Sequence, residues 1–128
     1  MKPIVRGLHH AQITIPPGAE DPARAFYCGL LGLREVEKPV SLAGRGGFWL
    51  ELGDRQLHVG SEDGVERAAT KAHLAYEVEA LPRWRERLEE HAVPMLDSIP
   101  IPGYRRLEAR DPFGNRFELI EELQEEES

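Results

Sequence analysis

The 128-residue chain is long enough for one domain, or for two small modules that share one core. Its net charge of −7 argues against nucleic acid as a partner, because phosphate binding needs a basic surface. No apolar run approaches the roughly 20 residues that a membrane span requires, and the N-terminus lacks the apolar stretch of a secretory signal. The single cysteine, Cys28, fits a reducing compartment, so we expect a cytoplasmic protein.

The chain begins with a predicted strand over roughly residues 8–15, which ends at two prolines and a glycine. The segment AEDPARAFYCGLLGL that follows predicts a helix from the spacing of its apolar residues. Asp21 is a plausible N-cap for this helix, with Pro22 at the first helical position. Gly29 or Gly32 is expected to end it.

Three more strands are predicted in the first half. LREVEKPV indicates a short strand, and the segments GGFWLEL and RQLHVG flank Gly53-Asp54, which is typical of a hairpin turn. Between the first and second of these strands, the segment SLAGRGG is glycine-rich. It lacks the lysine and hydroxyl residue of a phosphate-binding loop, so we expect a turn.

The second half repeats this order after a polar linker. AHLAYEVE predicts a strand, LPRWRERLEEHAV a helix with Trp84, Leu88 and Val93 on its buried face, and VPMLDSIP a weak strand. YRRLEARD and NRFELIEE form a hairpin across the turn sequence DPFGN. We therefore expect a single two-module domain. Its predicted parts are a first module over about 7–60, a linker over about 61–71, a second module over about 72–122 and an acidic tail over 123–128.

Four potential metal ligands occupy matching places in the two halves. His10 lies 63 positions before His73, and His58 lies 60 positions before Glu118. Each has an apolar neighbour in the sequence, which for His10 is Ala11, so alternation along a strand would place the four polar side chains on the face opposite the helices. The matched spacing predicts one metal site built from two copies, with His9 as the alternative to His10 if the register slips. Three histidines and a glutamate suit Zn, Fe, Mn, Ni or Co better than Ca or Mg.

Five segments carry a resemblance to a known family: GLHHAQITI, AFYCGLLGL, WLELGDRQLHVG, AHLAYEV and DPFGNRFELIE. With them, nearly all of residues 7–122 resembles the vicinal oxygen chelate superfamily, which comprises glyoxalase I, bleomycin-resistance proteins and extradiol dioxygenases. The resemblance implies an α+β fold in which two βαβββ modules form a cup-shaped, curved mixed sheet with helices outside. It also implies metal ligands on the first and last strands of each module, which here are His10, His58, His73 and Glu118.

The resemblance implies a divalent-metal-dependent enzyme that acts on a small molecule with two neighbouring oxygens, as a lyase, an isomerase or a ring-cleaving dioxygenase. No subfamily matches at every ligand. Glyoxalase I typically carries glutamate, and methylmalonyl-CoA epimerases glutamine, where this chain has His58. Fosfomycin-resistance enzymes use three ligands, which match His10, His73 and Glu118. Glu118 is expected to serve as a ligand and, when displaced, as a general base.

Five further side chains are candidates for substrate contact: Gln12, Trp49, Gln56, Tyr104 and Arg106. The two glutamines share strand faces with the histidines, and the tryptophan lies in a hairpin, where it could form an aromatic wall. The tyrosine and the arginine precede the last hairpin, and for them a role as surface residues beside a turn is the competing interpretation.

Two other functions compete with the enzyme hypothesis. The cup could bind an antibiotic or another small molecule without turnover, as bleomycin-resistance proteins do, or the chain could be a metal-free regulatory or structural dimer. Two-module relatives usually complete their cups across a two-fold axis, so we expect a homodimer in each case. The sequence leaves open whether the metal site forms within one chain or across the dimer.

Overall fold

The computed structural model describes residues 1–124 and divides into two compact units, Met1–Val65 and Glu66–Ser128, here called unit 1 and unit 2. Of the predicted acidic tail, residues 123–128, positions 125–128 lie outside the described residues. No helix within residues 1–124 is long and apolar enough to cross a membrane.

Unit 1 is a βαβββ arrangement. Its elements are β1 (His10–Ile15), α1 (Glu20–Arg24), a π-helical turn (Ala25–Leu30), β2 (Glu35–Val36), a 3₁₀ helix (Val40–Arg45), β3 (Phe48–Leu52) and β4 (Arg55–Ser61). The four strands form one open mixed sheet in the order β1-β4-β3-β2. β1 runs parallel to β4, and the other neighbours are antiparallel.

Unit 2 repeats this arrangement. Its elements are a 3₁₀ helix (Arg67–Ala69), β5 (His73–Glu77), α2 (Leu81–Glu90), β6 (Met95–Asp97), β7 (Tyr104–Arg110) and β8 (Arg116–Glu122). The strand order is β5-β8-β7-β6, with β5 parallel to β8. Two four-stranded mixed sheets with few helices make the fold α+β, as the sequence predicted.

The strand registers of the two units are equivalent. In unit 1, His10 pairs with the residue two before His58, and in unit 2, His73 pairs with the residue two before Glu118. The sequence offsets of 63 and 60 therefore reflect one register repeated in both sheets. Since residues paired across strands share a face, each histidine of a first strand lies on the same face as the ligand candidate of its last strand.

The opposite face of each sheet is apolar and forms the core. Leu57 and Val59 flank His58, Phe117 and Leu119 flank Glu118, and all four are at most 1% exposed. Burying an aliphatic or aromatic side chain of this size contributes about 1.5–3 kcal/mol relative to leaving it in water. Burial of this apolar face fixes which strand residues point away from it, and so places the polar candidates on the other face.

The first helical segment differs from the single capped helix that the sequence predicted. Asp21 is not the N-cap: Ala19 holds that position without a side-chain cap, and Pro22 is the third helical residue rather than the first. After five residues the helix widens into a π turn, in which Leu31 N–H donates to Phe26 O at 2.9 Å. Gly32, at φ 78°, ends the segment as predicted.

The glycine-rich segment before β3 forms a 3₁₀ helix rather than the predicted simple turn, and two glycines follow it. Gly47 has φ 75°, and a Cβ there would lie 2.0 Å from the backbone oxygen of Val59. Only glycine permits this close approach of the loop to β4. The 3₁₀ helix is thereby held beside the polar face of the sheet.

The second helix begins without a cap of its own. Its N-cap residue, Ala80, has a left-handed backbone with φ 59°, and the carboxylate of Glu121 on β8 accepts hydrogen bonds from the N–H groups of Ala80 and Leu81 at 2.9 and 3.1 Å. The predicted buried face is correct at Leu88. Trp84 and Val93 are only half-buried, and Leu81, which the prediction omitted, is buried.

Candidate metal and substrate site

The polar face of unit 1 carries a stack of three rings. The imidazole of His58 lies between Trp49, with ring centroids 3.8 Å apart and planes 2° apart, and His10, at 4.1 Å and 21°. The register explains the stack, because Trp49 pairs directly with His58 across β3 and β4. Cross-strand partners lie close enough for aromatic side chains to pack. His58 is 6% exposed, whereas His10 is exposed.

Both histidines of unit 1 have polar neighbours. Nε2 of His58 lies 2.9 Å from Oε1 of Gln56, so the ring donates there in the tautomer protonated at Nε2. Nδ1 of His10 lies 3.1 Å from Nδ1 of His9, which leaves Nε2 of His10 without a hydrogen bond among the described residues. Burial lowers the pKa of His58, and nearby His10, His9 and Lys38 lower it further, so the neutral imidazole is favoured near pH 7.

A cavity of about 530 Å³ opens on this face of unit 1. It is lined by the five predicted site residues of unit 1 and by eight others: His10, Gln12, Trp49, Gln56 and His58, with His9, Lys38, Leu42, Arg45, Gly46, Val59, Gly60 and Ser61. Gly60 leaves room for the side chain of Gln12, because a Cβ there would lie 3.1 Å from the amide nitrogen of that side chain. The structure therefore brings all predicted unit 1 residues to one cavity.

The polar face of unit 2 holds the second pair of ligand candidates. Nε2 of His73 lies 3.6 Å from Oε2 of Glu118. Nδ1 of His73 lies 2.9 Å from the backbone oxygen of Lys71, to which the protonated nitrogen donates. This carbonyl contact leaves the lone pair on Nε2, facing the carboxylate, and it is the orienting contact that metal-binding histidines usually have.

Glu118 is buried, at 5% exposed, and its carboxylate is paired with an arginine. Arg106, on β7, donates from Nη1 to Oε1 of Glu118 at 2.8 Å, and it also donates to the backbone oxygen of Ile99. A buried carboxylate without a cation would be costly, and Arg106 supplies a cation in direct contact with it. Arg106, predicted as a substrate residue, therefore contacts the candidate ligand itself.

A second ion pair on this face was not anticipated from the sequence. Glu108 accepts a hydrogen bond from Arg116 at 2.7 Å and lies 3.9 Å from Arg106. Hydrogen bonding to Arg116 is the main cause of the lowered pKa of Glu108. Alternation along YRRLEAR and NRFELIE could have indicated these residues, because they share the face of Glu118.

Tyr104, the remaining candidate, is 42% exposed. It lines a different cavity of about 530 Å³, which lies beside α2 and also includes Arg106. His73 and Glu118 do not line that cavity. The described contacts therefore give Tyr104 no direct connection to the ligand candidates of unit 2.

Imidazole and carboxylate groups are suitable ligands for a divalent transition metal. The pair in unit 1, His10 and His58, and the pair in unit 2, His73 and Glu118, are arranged differently. Within residues 1–124, no three His, Cys, Asp or Glu side chains form a group that could hold an ion. In unit 2, the imidazole and carboxylate already face one another. In unit 1, the rings of His10 and His58 are stacked, and their nitrogen lone pairs lie in the nearly parallel ring planes. The lone pairs therefore do not converge on one point, and a shared ion would require one ring to rotate about its side-chain torsions.

Comparisons with known proteins agree with the topology. The model of the Glyoxalase/Bleomycin resistance protein/Dioxygenase superfamily matches residues 7–119. A comparison with curated protein sequences gives no significant match.

Solved structures share the whole fold with this chain. A putative glyoxalase family protein from Bacillus anthracis is 34% identical, with a TM-score of 0.87, over 96% of this chain and 100% of that chain. A glyoxalase/dioxygenase from Nostoc punctiforme is 20% identical, with a TM-score of 0.77, over 97% and 99%. A mutant of the fosfomycin resistance protein FosX from Listeria monocytogenes, complexed with Mn(II) and 1S,2S-dihydroxypropylphosphonic acid, is 19% identical, with a TM-score of 0.77, over 97% and 98%.

The family model covers most of the chain, and the Bacillus anthracis structure exceeds 30% identity over nearly its full length. The chain belongs to the Glyoxalase/Bleomycin resistance protein/Dioxygenase superfamily.

Proposed function

We propose that the protein is a divalent-metal-dependent enzyme that acts on a small molecule with two neighbouring oxygens. The observation that carries the proposal is the repeated register, which gives His10 and His73 equivalent positions, and His58 and Glu118 equivalent positions, on the polar faces of two like sheets. Membership of the superfamily supports it, as does the Mn(II) bound by a FosX relative of the same fold.

In this proposal, His10, His58, His73 and Glu118 together hold one ion, either within a chain or between the two chains of a homodimer. The ion, when bound, supplies a Lewis acid that polarises the two substrate oxygens. The donor set favours Zn, Fe, Mn, Ni or Co over Ca or Mg. We also propose that the protein is cytoplasmic.

The chain's own residues would bind and orient the substrate and move a proton. Gln12 and Gln56 offer amide donors and acceptors inside the unit 1 cavity, and Trp49 contributes an aromatic wall. Glu118 would serve both as a metal ligand and as the acceptor of a substrate proton, and Arg106, which donates to its carboxylate at 2.8 Å, would hold that carboxylate in place. A lyase, an isomerase and a ring-cleaving dioxygenase can all use this arrangement.

A binding protein without catalysis is the second candidate, and the Trp49–His58–His10 stack favours it. Trp49, His58 and His10 all line the cavity, and aromatic rings at a cavity wall can pack against a planar ligand without a metal. This function requires the cavity but not the acid of unit 2.

Metal binding by purified protein tests the proposal. We expect about one divalent ion per chain by mass spectrometry. Each of the substitutions His10→Ala, His58→Ala, His73→Ala and Glu118→Gln should weaken the metal affinity at least about tenfold, the size of effect known even for residues that only orient ligands. His91→Ala is the matched control, because His91 donates to a carbonyl at the end of α2.

Turnover assays on the same variants separate the two candidates. An enzyme loses metal and rate together in all four ligand variants. If Glu118→Gln and His73→Ala keep full ligand affinity while wild-type protein binds no ion after reloading, the metal-dependent function is rejected in favour of the binding protein.

A further inference from the structure

The lining of the unit 1 cavity is positively charged, although the chain as a whole is negatively charged. The protein carries a net charge of −7. Within the described residues 1–124, however, the lining of this cavity contains no aspartate or glutamate. Lys38 and Arg45 contribute two cations to the lining. A concave surface with charges of one sign raises the local concentration of ligands of the opposite sign.

These two cations differ from the other basic residues around the sheet of unit 1. Arg24, Arg34 and Arg55 each form an ion pair with a carboxylate. Lys38 instead donates to a neutral acceptor, the backbone oxygen of Gly46, at 2.7 Å, and the side chain of Arg45 has no hydrogen bond or ion pair within residues 1–124. The positive charge of both is therefore available to a ligand.

Two acids of unit 1, Glu20 and Glu51, each have a contact outside the cavity lining. Glu20 accepts a hydrogen bond from the N–H of Gly47 at 3.2 Å, and Glu51, which shares the face of Gln56, pairs with Arg34. Neither lines the cavity. They do not neutralise Lys38 and Arg45 by direct contact.

The rest of the lining is suited to an apolar body. Trp49 and Leu42 contribute apolar surface, and Gln12 and Gln56 contribute neutral polar groups. A volume of about 530 Å³ is within the range of small-molecule sites, which are mostly apolar with a few polar groups that set orientation.

We infer that the substrate or ligand of this cavity is a small organic anion, a carboxylate or a phosphonate, whose charged group binds Lys38 and Arg45 while its apolar body contacts Trp49. This inference rests on the proposed function, because it names the substrate class of the same site. It does not depend on the metal, so the two can fail separately.

Tryptophan fluorescence offers a direct readout of binding, because the chain has only two tryptophans and Trp84 lies on α2 of unit 2. In a Trp84→Phe background, Trp49 is the sole tryptophan. Chelator-treated protein would be titrated with benzoate, with its neutral analogue benzamide, with phenylphosphonate and with inorganic phosphate, all at one ionic strength.

We expect benzoate and phenylphosphonate to change the emission of Trp49 with dissociation constants at least about tenfold lower than that of benzamide, since hydrogen bonds to a charged group are stronger than those between neutral groups. Inorganic phosphate should bind more weakly than phenylphosphonate, because it lacks the apolar body. The double substitution Lys38→Gln with Arg45→Gln should abolish the preference for the anions and leave benzamide binding unchanged.

A control with the same loss of charge is Lys2→Gln with Arg6→Gln, two exposed cations of unit 1 outside the cavity lining. The inference is overturned if benzoate and benzamide bind equally, or if the control pair lowers anion affinity as much as the cavity pair. Equal binding of phosphate and phenylphosphonate would overturn the contact with Trp49. An anion preference in protein that binds no metal would reject the proposed function alone.

Discussion

At the scale of single residues, Glu118 is the candidate ligand that combines burial with an acidic side chain. Its carboxylate is buried, lies 3.6 Å from His73 and is paired at 2.8 Å with Arg106. A buried carboxylate that loses its cation is strongly destabilising, whereas exposed ion pairs contribute little. Arg106 should therefore contribute more to stability than arginines in surface pairs.

We expect Arg106→Met to lower the free energy of unfolding by about 3 kcal/mol in metal-free protein at pH 7, because the substitution leaves Glu118 buried without its cation. Chemical denaturation followed by circular dichroism measures this. Arg85→Met is the control, since Arg85 forms an exposed pair with Asp97, and it should cost less than about 1 kcal/mol. Equal losses in both variants would show that Arg106 does not compensate the buried charge.

At the scale of elements, unit 2 joins its helix to its sheet through specific hydrogen bonds. In unit 2, Glu121 on β8 caps the N-terminus of α2, where no local residue does so. The first N–H groups of a helix need such an acceptor, and a negative charge there also interacts favourably with the helix dipole. Hydrogen bonds from Leu81 and Ala80 lower the pKa of Glu121.

This cap should make stability depend on pH. A carboxyl whose pKa is lowered by folding stabilises the fold above its ordinary pKa of 4.5, and this contribution is lost as the pH falls through the folded value. We expect Glu121→Gln to unfold at a lower temperature than wild type at pH 7, with a smaller difference at pH 3. Thermal melts at both pH values measure this.

The neighbouring substitution Glu122→Gln serves as control, because Glu122 is exposed at the end of the same strand. It should show little difference from wild type at either pH. A difference for Glu121→Gln that persists unchanged at pH 3 would indicate that charge is not involved in the cap.

At the scale of the whole molecule, the chain consists of two like units, each with an open four-stranded sheet whose first and second strands lie at the edges. Open edges and polar cavities of this kind are often completed by a second copy in closed two-fold assemblies. The homodimer expected from the sequence remains a prediction.

We expect sedimentation equilibrium to give about twice the chain mass of 14.5 kDa at micromolar concentration, because a second copy could pair with the open sheet edges. Metal-loaded and chelator-treated protein should be compared. A monomer in both states up to high concentration would contradict the dimer, and a dimer only with metal would favour ligands shared between chains.

Much of the fold was predictable because alternating apolar residues specify a strand face. Leu57 and Val59, like Phe117 and Leu119, must be buried, so His58 and Glu118 must point the other way. The hairpin at Gly53 was predictable as well, because its backbone adopts φ 58°, which glycine favours. The matched offsets of the four ligand candidates follow from the same repeated pattern.

Other features depend on residues far apart in the chain. Asp21 has the chemistry of an N-cap, but the chain enters the helix two residues earlier, and the cap of α2 comes from Glu121, which is 40 positions after Leu81. The contact of Arg106 with Glu118 and the stack of Trp49 on His58 likewise require the register between strands. Local propensity does not encode such partners.

The sequence by itself determined the βαβββ repeat, the faces of the strands and the identity of the ligand candidates, because these follow from periodicity within single elements. Only the tertiary structure decided which charges neutralise one another, which cations remain available at the cavity of unit 1 and what caps the second helix. The physical reason is that hydrogen bonds and ion pairs depend on distances of a few ångströms between side chains that packing, rather than sequence order, brings together.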